Sequence, residues 1–137
     1  MNEKSTEPNL VRLLADMDDF PASDLFLCQG KAPAVRVHGT VTAMDVAATT
    51  AAELDALLEH ALSPTQRERF ASSGDLDTGL SVADGRRFRL NLSRQQGSVS
   101  VVARAVPSGD LDFDSLRLPE PVRDLANVAR GLVLVTG

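Results

Sequence analysis

Polar and apolar positions alternate most regularly over residues 86–107, RRFRLNLSRQQGSVSVVARAVP. Phe88, Leu90 and Leu92 keep a period of two, which resumes at Val99, Val101, Ala103 and Ala105. The pattern predicts a β-hairpin with one wet face on each strand. A two-residue Gln96-Gly97 turn sets Gln95 opposite Ser98, and counting outward places Phe88 across from Ala105 and Leu90 across from Ala103. The apolar faces then agree. The same register sets Arg89 across from Arg104 on the polar face, where like charges weaken a strand pair unless something negative lies between them. That makes a candidate anion site; the plainer alternative is two side chains that splay into water.

The run before it, 75–82, places Leu76, Thr78, Leu80 and Val82 on one face. A two-residue Asp84-Gly85 turn would pair Leu80 with Arg89 and set the apolar faces out of phase. A three-residue loop, Ala83-Asp84-Gly85, pairs Leu80 with Phe88 and Thr78 with Leu90. The three-residue loop, with Gly85 left-handed, is therefore expected. It closes a three-stranded antiparallel meander over 75–105 whose oily face helices must cover, so the fold class is α+β.

Upstream, Asn9 is positioned to cap a helix with the stripe Leu10, Leu13, Leu14 and Met17, ending before Phe20-Pro21. Ser23 and Asp24 read as the turn into a first strand, LFLC; a second strand follows at 34–38, closed by Gly39, then a short one at 40–44. Thr50-Ala51-Ala52-Glu53 and Ser63-Pro64-Thr65-Gln66 are capping boxes that open two helices, the first with Leu54, Leu57, Leu58 and Ala61 inward, the second ending near Ser72-Ser73-Gly74.

Past Pro107 the pattern changes. Ser108-Gly109-Asp110 reads as a turn, residues 111–118 alternate Leu and Phe with acidic residues, and Pro119-Glu120-Pro121 starts a short helix. The expected organisation is a flexible amino terminus at 1–8, a folded domain at 9–107 and a linker at 108–130. Then comes a strand at 131–137, whose continuous run Leu132-Val133-Leu134-Val135 is of the kind buried in parallel sheets. No neighbour for it is evident in this chain, so it reads as the first strand of a further domain.

Composition narrows the function classes. Of 137 residues 43% are hydrophobic but only five are aromatic, all Phe, so aliphatic packing must form the core. A net charge of −5, with no basic run interleaved with aromatics, speaks against nucleic acid as a partner. No apolar run approaches a membrane span and MNEKSTEPN lacks a signal-peptide core, which predicts a cytosolic protein. Cys28, the single cysteine, forms no internal disulfide and reads as a small buried hydrophobe. No Cys/His cluster suggests a metal, and His38 has no partner at a useful spacing for catalysis. Gly30-Lys31 lacks the glycine spacing and the Ser/Thr of a phosphate loop.

Four stretches carry a family resemblance: SDLFLCQGKAPAVRVHG at 23–39, SPTQRERF at 63–70, RFRLNLSRQQGSVSVVARAVP at 87–107 and LRLPEPVRDLANVARGLVLVTG at 116–137. In order and spacing they resemble the amino-terminal part of the type IV pilus retraction ATPases, the twitching-motility PilT and PilU group of the secretion-ATPase superfamily. The resemblance implies a PAS-like domain and a linker to a RecA-like motor domain. The parent would be a cytoplasmic homohexamer, peripheral at the inner membrane, working with a pilus platform protein. Gly137 matches the first glycine of the Walker A loop, G-x-x-x-x-G-K-[ST], whose amides cradle phosphates. The loop's lysine and Mg²⁺-holding Ser/Thr are not in this chain. Catalysis and binding of ATP and Mg²⁺ are thus expected of the longer parent, and no catalytic residue is assigned here.

The resemblance also assigns roles. Arg89 and Arg104 match arginines of the family's F-R-V-N and V-x-R-x-I-P motifs, which implies that they sense nucleotide bound to the motor domain. Gln66 and Arg130 are candidate adenosine-side contacts, their plainer readings being a capping-box partner and a solvent-facing linker charge. Phe26 departs from the common His and is shared more with the PilU side, and Arg117 stands where a Gly usually precedes Leu-Pro; which paralogue this is stays open. An extension or type II secretion ATPase is an alternative, but such proteins generally carry a domain ahead of this one, and the few residues before the first helix favour retraction. A stand-alone PAS-like module that binds a small ligand or protein is the other; the partnerless terminal strand argues against it.

Overall fold

The hairpin at the centre of the fold is β5 (Arg87–Gln95) and β6 (Ser98–Val106) of a computed structural model that describes residues 9–15, 17, 22–107 and 112–136. Residues 1–8, the helix end before Phe20-Pro21, the Ser108-Gly109-Asp110 turn and Gly137 lie outside the described residues. The chain divides into two units, Met1–Pro107 and Ser108–Gly137.

Gln96 and Gly97 both take positive φ, 50° and 81°, which gives the hairpin turn a twist matching its strands. The register is the counted one, with Phe88 opposite Ala105, Leu90 opposite Ala103 and Arg89 opposite Arg104. The strand β4 (Asp75–Ser81) pairs Leu80 with Phe88 and Thr78 with Leu90, across a loop whose Gly85 sits at φ 88°. Only a residue without Cβ adopts that conformation freely.

The sheet extends beyond the expected meander. β1 (Ala22–Cys28), β2 (Ala34–Val37) and β3 (Thr40–Ala43) add antiparallel on the far side of β6, giving the order β3-β2-β1-β6-β5-β4. Ser23 and Asp24, expected as a turn, lie inside β1. Their turn preference is local, whereas Asp24 is held in the strand by charges on two neighbouring strands. A register shift between Ala22 and Asp24 marks an irregularity where the strand begins. His38, expected at the end of β2, instead sits at φ 48° in the two-residue turn to β3.

Three helices cover one face of the sheet. α1 (Asn9–Ala15) buries Leu10, Val11 and Leu14, so Val11 takes the inward place expected of Leu13, which is only partly buried. Asn9, expected as the cap, is the first helical residue. α2 (Ala51–Ala61) and α3 (Pro64–Ser73) both start with reciprocal capping boxes: Thr50 and Ser63 accept from the backbone N–H groups of Glu53 and Gln66, whose side chains accept from the cap N–H groups. The helices pack Leu14, Leu54, Leu57 and Phe70 against Leu25, Leu27, Phe88, Leu90, Leu92 and Val101. The α+β class with helices on one face follows.

The second unit contains a turn at 113–117 and α4 (Glu120–Ala126), none of whose residues is buried. The strand expected over 131–137 has no ladder among the described residues, and Val135 is 94% exposed. A strand exists only through hydrogen-bonded neighbours, and none is described here.

Candidate anion-binding site

Cross-strand partners point to the same side of a sheet. The registers therefore line up Val41, Arg36, Asp24, Arg104, Arg89 and Gly79 in one row across all six strands. This row lies on the face opposite the helices, because its β5 and β6 members alternate with the buried Phe88, Leu90 and Ala103.

Asp24 is the fixed point of the row. It is 2% exposed, and both of its carboxylate oxygens are engaged. Arg104 Nε donates to Oδ1 at 2.8 Å, the Ser23 hydroxyl donates to Oδ2 at 2.8 Å, and Arg36 Nε lies 3.3 Å from Oδ2. Arg36 in turn lies over the Phe26 ring, 5.4 Å from its centroid. Burial alone would push the Asp24 carboxyl up. The Ser23 hydrogen bond, the Arg104 hydrogen bond and charge, and the Arg36 charge together outweigh it and hold the group below its ordinary value of 3.8.

Arg89 is held far more loosely. Its Nε is 3.9 Å from Asp77 Oδ1, and both side chains are largely exposed. Asn91 donates to the same Asp77 oxygen at 3.4 Å. Asp24, Asp77, Arg89, Asn91, Val102 and Arg104 line a shallow hollow of about 180 Å³. Among the described residues Arg36, Arg89 and Arg104 form ion pairs with the carboxylates of Asp24 and Asp77, three guanidiniums to two acids, which leaves positive charge in excess. Such a surface can bind a compact anion through several N–H donors at once.

Asp24 lies between Arg36 and Arg104, on the side of Arg104 away from Arg89, so it neutralises Arg104 from its flank and the gap between Arg89 and Arg104 stays open to an anion. Asp24 was missed in the sequence because it looks like a turn residue. The available signal was its phase: counted in twos from Phe26 and Cys28, it falls on the open face of β1.

No family model matches the chain. It is 33% identical to the type IV pilus retraction ATPase PilT of Pseudomonas aeruginosa over 129 residues, which is 94% of this chain and 38% of that protein. To the type IV pilus ATPase PilU of the same organism it is 28% identical, covering 92% of this chain and 33% of that protein. A crystal structure of the pilus retraction motor PilT with bound ADP matches at a TM-score of 0.75 and 28% identity, over 87% of this chain and 35% of that one. The chain corresponds to the amino-terminal region of the PilT group. It spans well under half the length of these relatives. The ATPase DotB of Legionella pneumophila shares the fold, with a TM-score of 0.65 at 20% identity.

The residues the PilT resemblance singles out are not all brought together. Arg89 and Arg104 stand side by side on the open face. Gln66 lies on the helix-covered side. Its Oε1 accepts from the Ser63 N–H at 2.9 Å and its Nε2 donates to Thr78 Oγ1 at 3.0 Å, so both ends of its amide are engaged within the domain. Arg130 belongs to the second unit, where it is exposed, and Gly137 lies outside the described residues. Phe26, the departure from the common His, forms the platform under Arg36. Cys28 is half-buried on the open face, its Sγ 3.5 Å from the Ser100 hydroxyl. Among the described residues no group of three His, Cys, Asp or Glu is placed to hold a metal.

Proposed function

We propose that this chain is the regulatory amino-terminal domain of a hexameric motor ATPase that retracts type IV pili, and that Arg89 and Arg104 sense the nucleotide held by the motor domain. The observation that carries the reading is the pair itself: two guanidiniums in adjacent register on the open face of a PilT-like fold, with positive charge in excess. In this reading the parent binds ATP and Mg²⁺ in a RecA-like domain. Closure of the two domains brings the arginines to the phosphates, and the coupling between binding and closure drives the motor. Gln66 and Arg130 contact the adenosine side, which requires Gln66 to give up its bond to Thr78. The assembly works in the cytoplasm at the inner membrane, against the pilus platform protein. Among the described residues no helix is long and apolar enough to cross a membrane. The gene past the codon for Gly137 is expected to complete G-x-x-x-x-G-K-[ST].

The test uses the ATPase extended through its motor domain. Arg89→Ala and Arg104→Ala are each expected to lower ATP turnover about tenfold, within the range of ordinary allosteric coupling. Arg89→Ala is the cleaner variant, since Arg104→Ala also strips Asp24 of a partner. Wild-type turnover and motility in both variants would sink the reading.

A further inference from the structure

A buried carboxylate on a sheet face that is otherwise wet calls for a reason, because burying a charge is unfavourable unless it is closely paired. Balancing the charge of Arg104 would need only an exposed acid, of the kind Asp77 offers Arg89. Asp24 is instead nearly inaccessible. Ser23 and Arg36 occupy its Oδ2, which leaves Oδ1 turned to Arg104.

The contact with Arg104 is through Nε alone. A carboxylate that took the end of the guanidinium in a two-bond fork would consume the donors an anion needs. Arg104 is tied to Asp24 at Nε, while its Nη1 and Nη2 make no hydrogen bond among the described residues. The side chain as a whole remains 68% exposed although its anchor is buried. Arg89 has no such anchor and only a distant, exposed acid.

We infer that Asp24 is a positioning residue that presents the terminal nitrogens of Arg104 to a phosphate chain, while Asp77 is the competing carboxylate that Arg89 leaves to reach the same phosphates. The inference rests on the nucleotide-sensing reading and divides the labour within it. Arg104 is the preorganised donor, which binds without the entropic cost of ordering a long side chain. Arg89 is the mobile one. The two acids that line one hollow should therefore act with opposite sign.

The experiment records the arginine side-chain Nε–Hε resonances of the 137-residue chain while inorganic tripolyphosphate is added. In the wild type the Arg104 Hε should exchange slowly and the Arg89 Hε rapidly, and tripolyphosphate should shift both resonances. Asp24→Asn should release the Arg104 signal and weaken tripolyphosphate binding roughly tenfold, the worth of a charge-assisted hydrogen bond. Asp77→Asn, at an exposed position that leaves the fold untouched, should tighten binding about two- to threefold. Equal affinity in wild type, Asp24→Asn and Asp77→Asn would overturn the positioning role while leaving the nucleotide reading in place. If tripolyphosphate shifts neither arginine even though Arg104 stays locked, the nucleotide reading fails and Asp24 is a structural ion pair only.

Discussion

A carboxylate as enclosed as Asp24 ties the stability of the domain to acid. Its folded pKa lies below the ordinary 3.8: burial raises it, but the Ser23 hydroxyl, Arg104 and Arg36 outweigh that. A group depressed on folding contributes stability that is complete above its unfolded pKa and is lost as pH falls through the folded value. The charged groups around it are Arg104 on β6 and Arg36 on β2, with Arg89 and Asp77 farther along the hollow; the arginines stay charged throughout this window. Wild-type stability should therefore fall as pH drops below 3.8. Asp24→Asn should be about 1–2 kcal/mol less stable near neutrality, since its exposed partners can turn to water. It should also lose less in acid, as urea titrations at several pH values would show. Part of the acid slope will persist, because Glu53 is also held low, first by the Thr50 backbone N–H. Identical acid slopes in the two proteins would mean that Asp24 is not depressed by its partners.

Short elements here are set by end chemistry. The turn at 113–117 closes as a helix terminus does: the Leu118 N–H bonds the Phe113 carbonyl at 3.0 Å and the Arg117 N–H bonds the Asp114 carbonyl at 3.0 Å. That pattern needs a left-handed residue at its hinge, and Arg117 supplies it at φ 51°. The resemblance leads one to expect glycine there, and the geometry gives the reason, because a side chain in this conformation costs about 1 kcal/mol. Arg117→Gly should accordingly strengthen the turn and slow hydrogen exchange of the Leu118 amide about threefold, part of the gain being offset by the freer unfolded chain. Faster exchange would contradict the strain. The capping boxes and the Gly85 and Gly97 turns belong to the same class of feature. Each is decided by residues a few positions apart, and each was legible in the sequence for that reason.

At the level of the molecule the two units differ in what holds them. Met1–Pro107 shares one hydrophobic core between the sheet and three helices, whereas α4 buries nothing. Leu90, fully buried in the middle strand of the predicted meander, is the natural probe. Leu90→Ala should destabilise the first unit by about 3 kcal/mol, measured by denaturant midpoint at unchanged slope. A cost under about 1 kcal/mol would mean the site is not the close-packed core described. The meander register was readable because the apolar faces and two short turns admit one phase, and that phase alone set Arg89 beside Arg104. The position of β1 beside β6 was not. Asp24 and Arg104 are 80 positions apart, and nothing local states which free edge of the meander β1 will take. Local pattern dictated the arginine pair, because strand phase and turn length are short-range properties. The anchor that holds one of the two arose only when distant strands met, because an aspartate is stable in a buried strand only once the charges that neutralise it have been brought there.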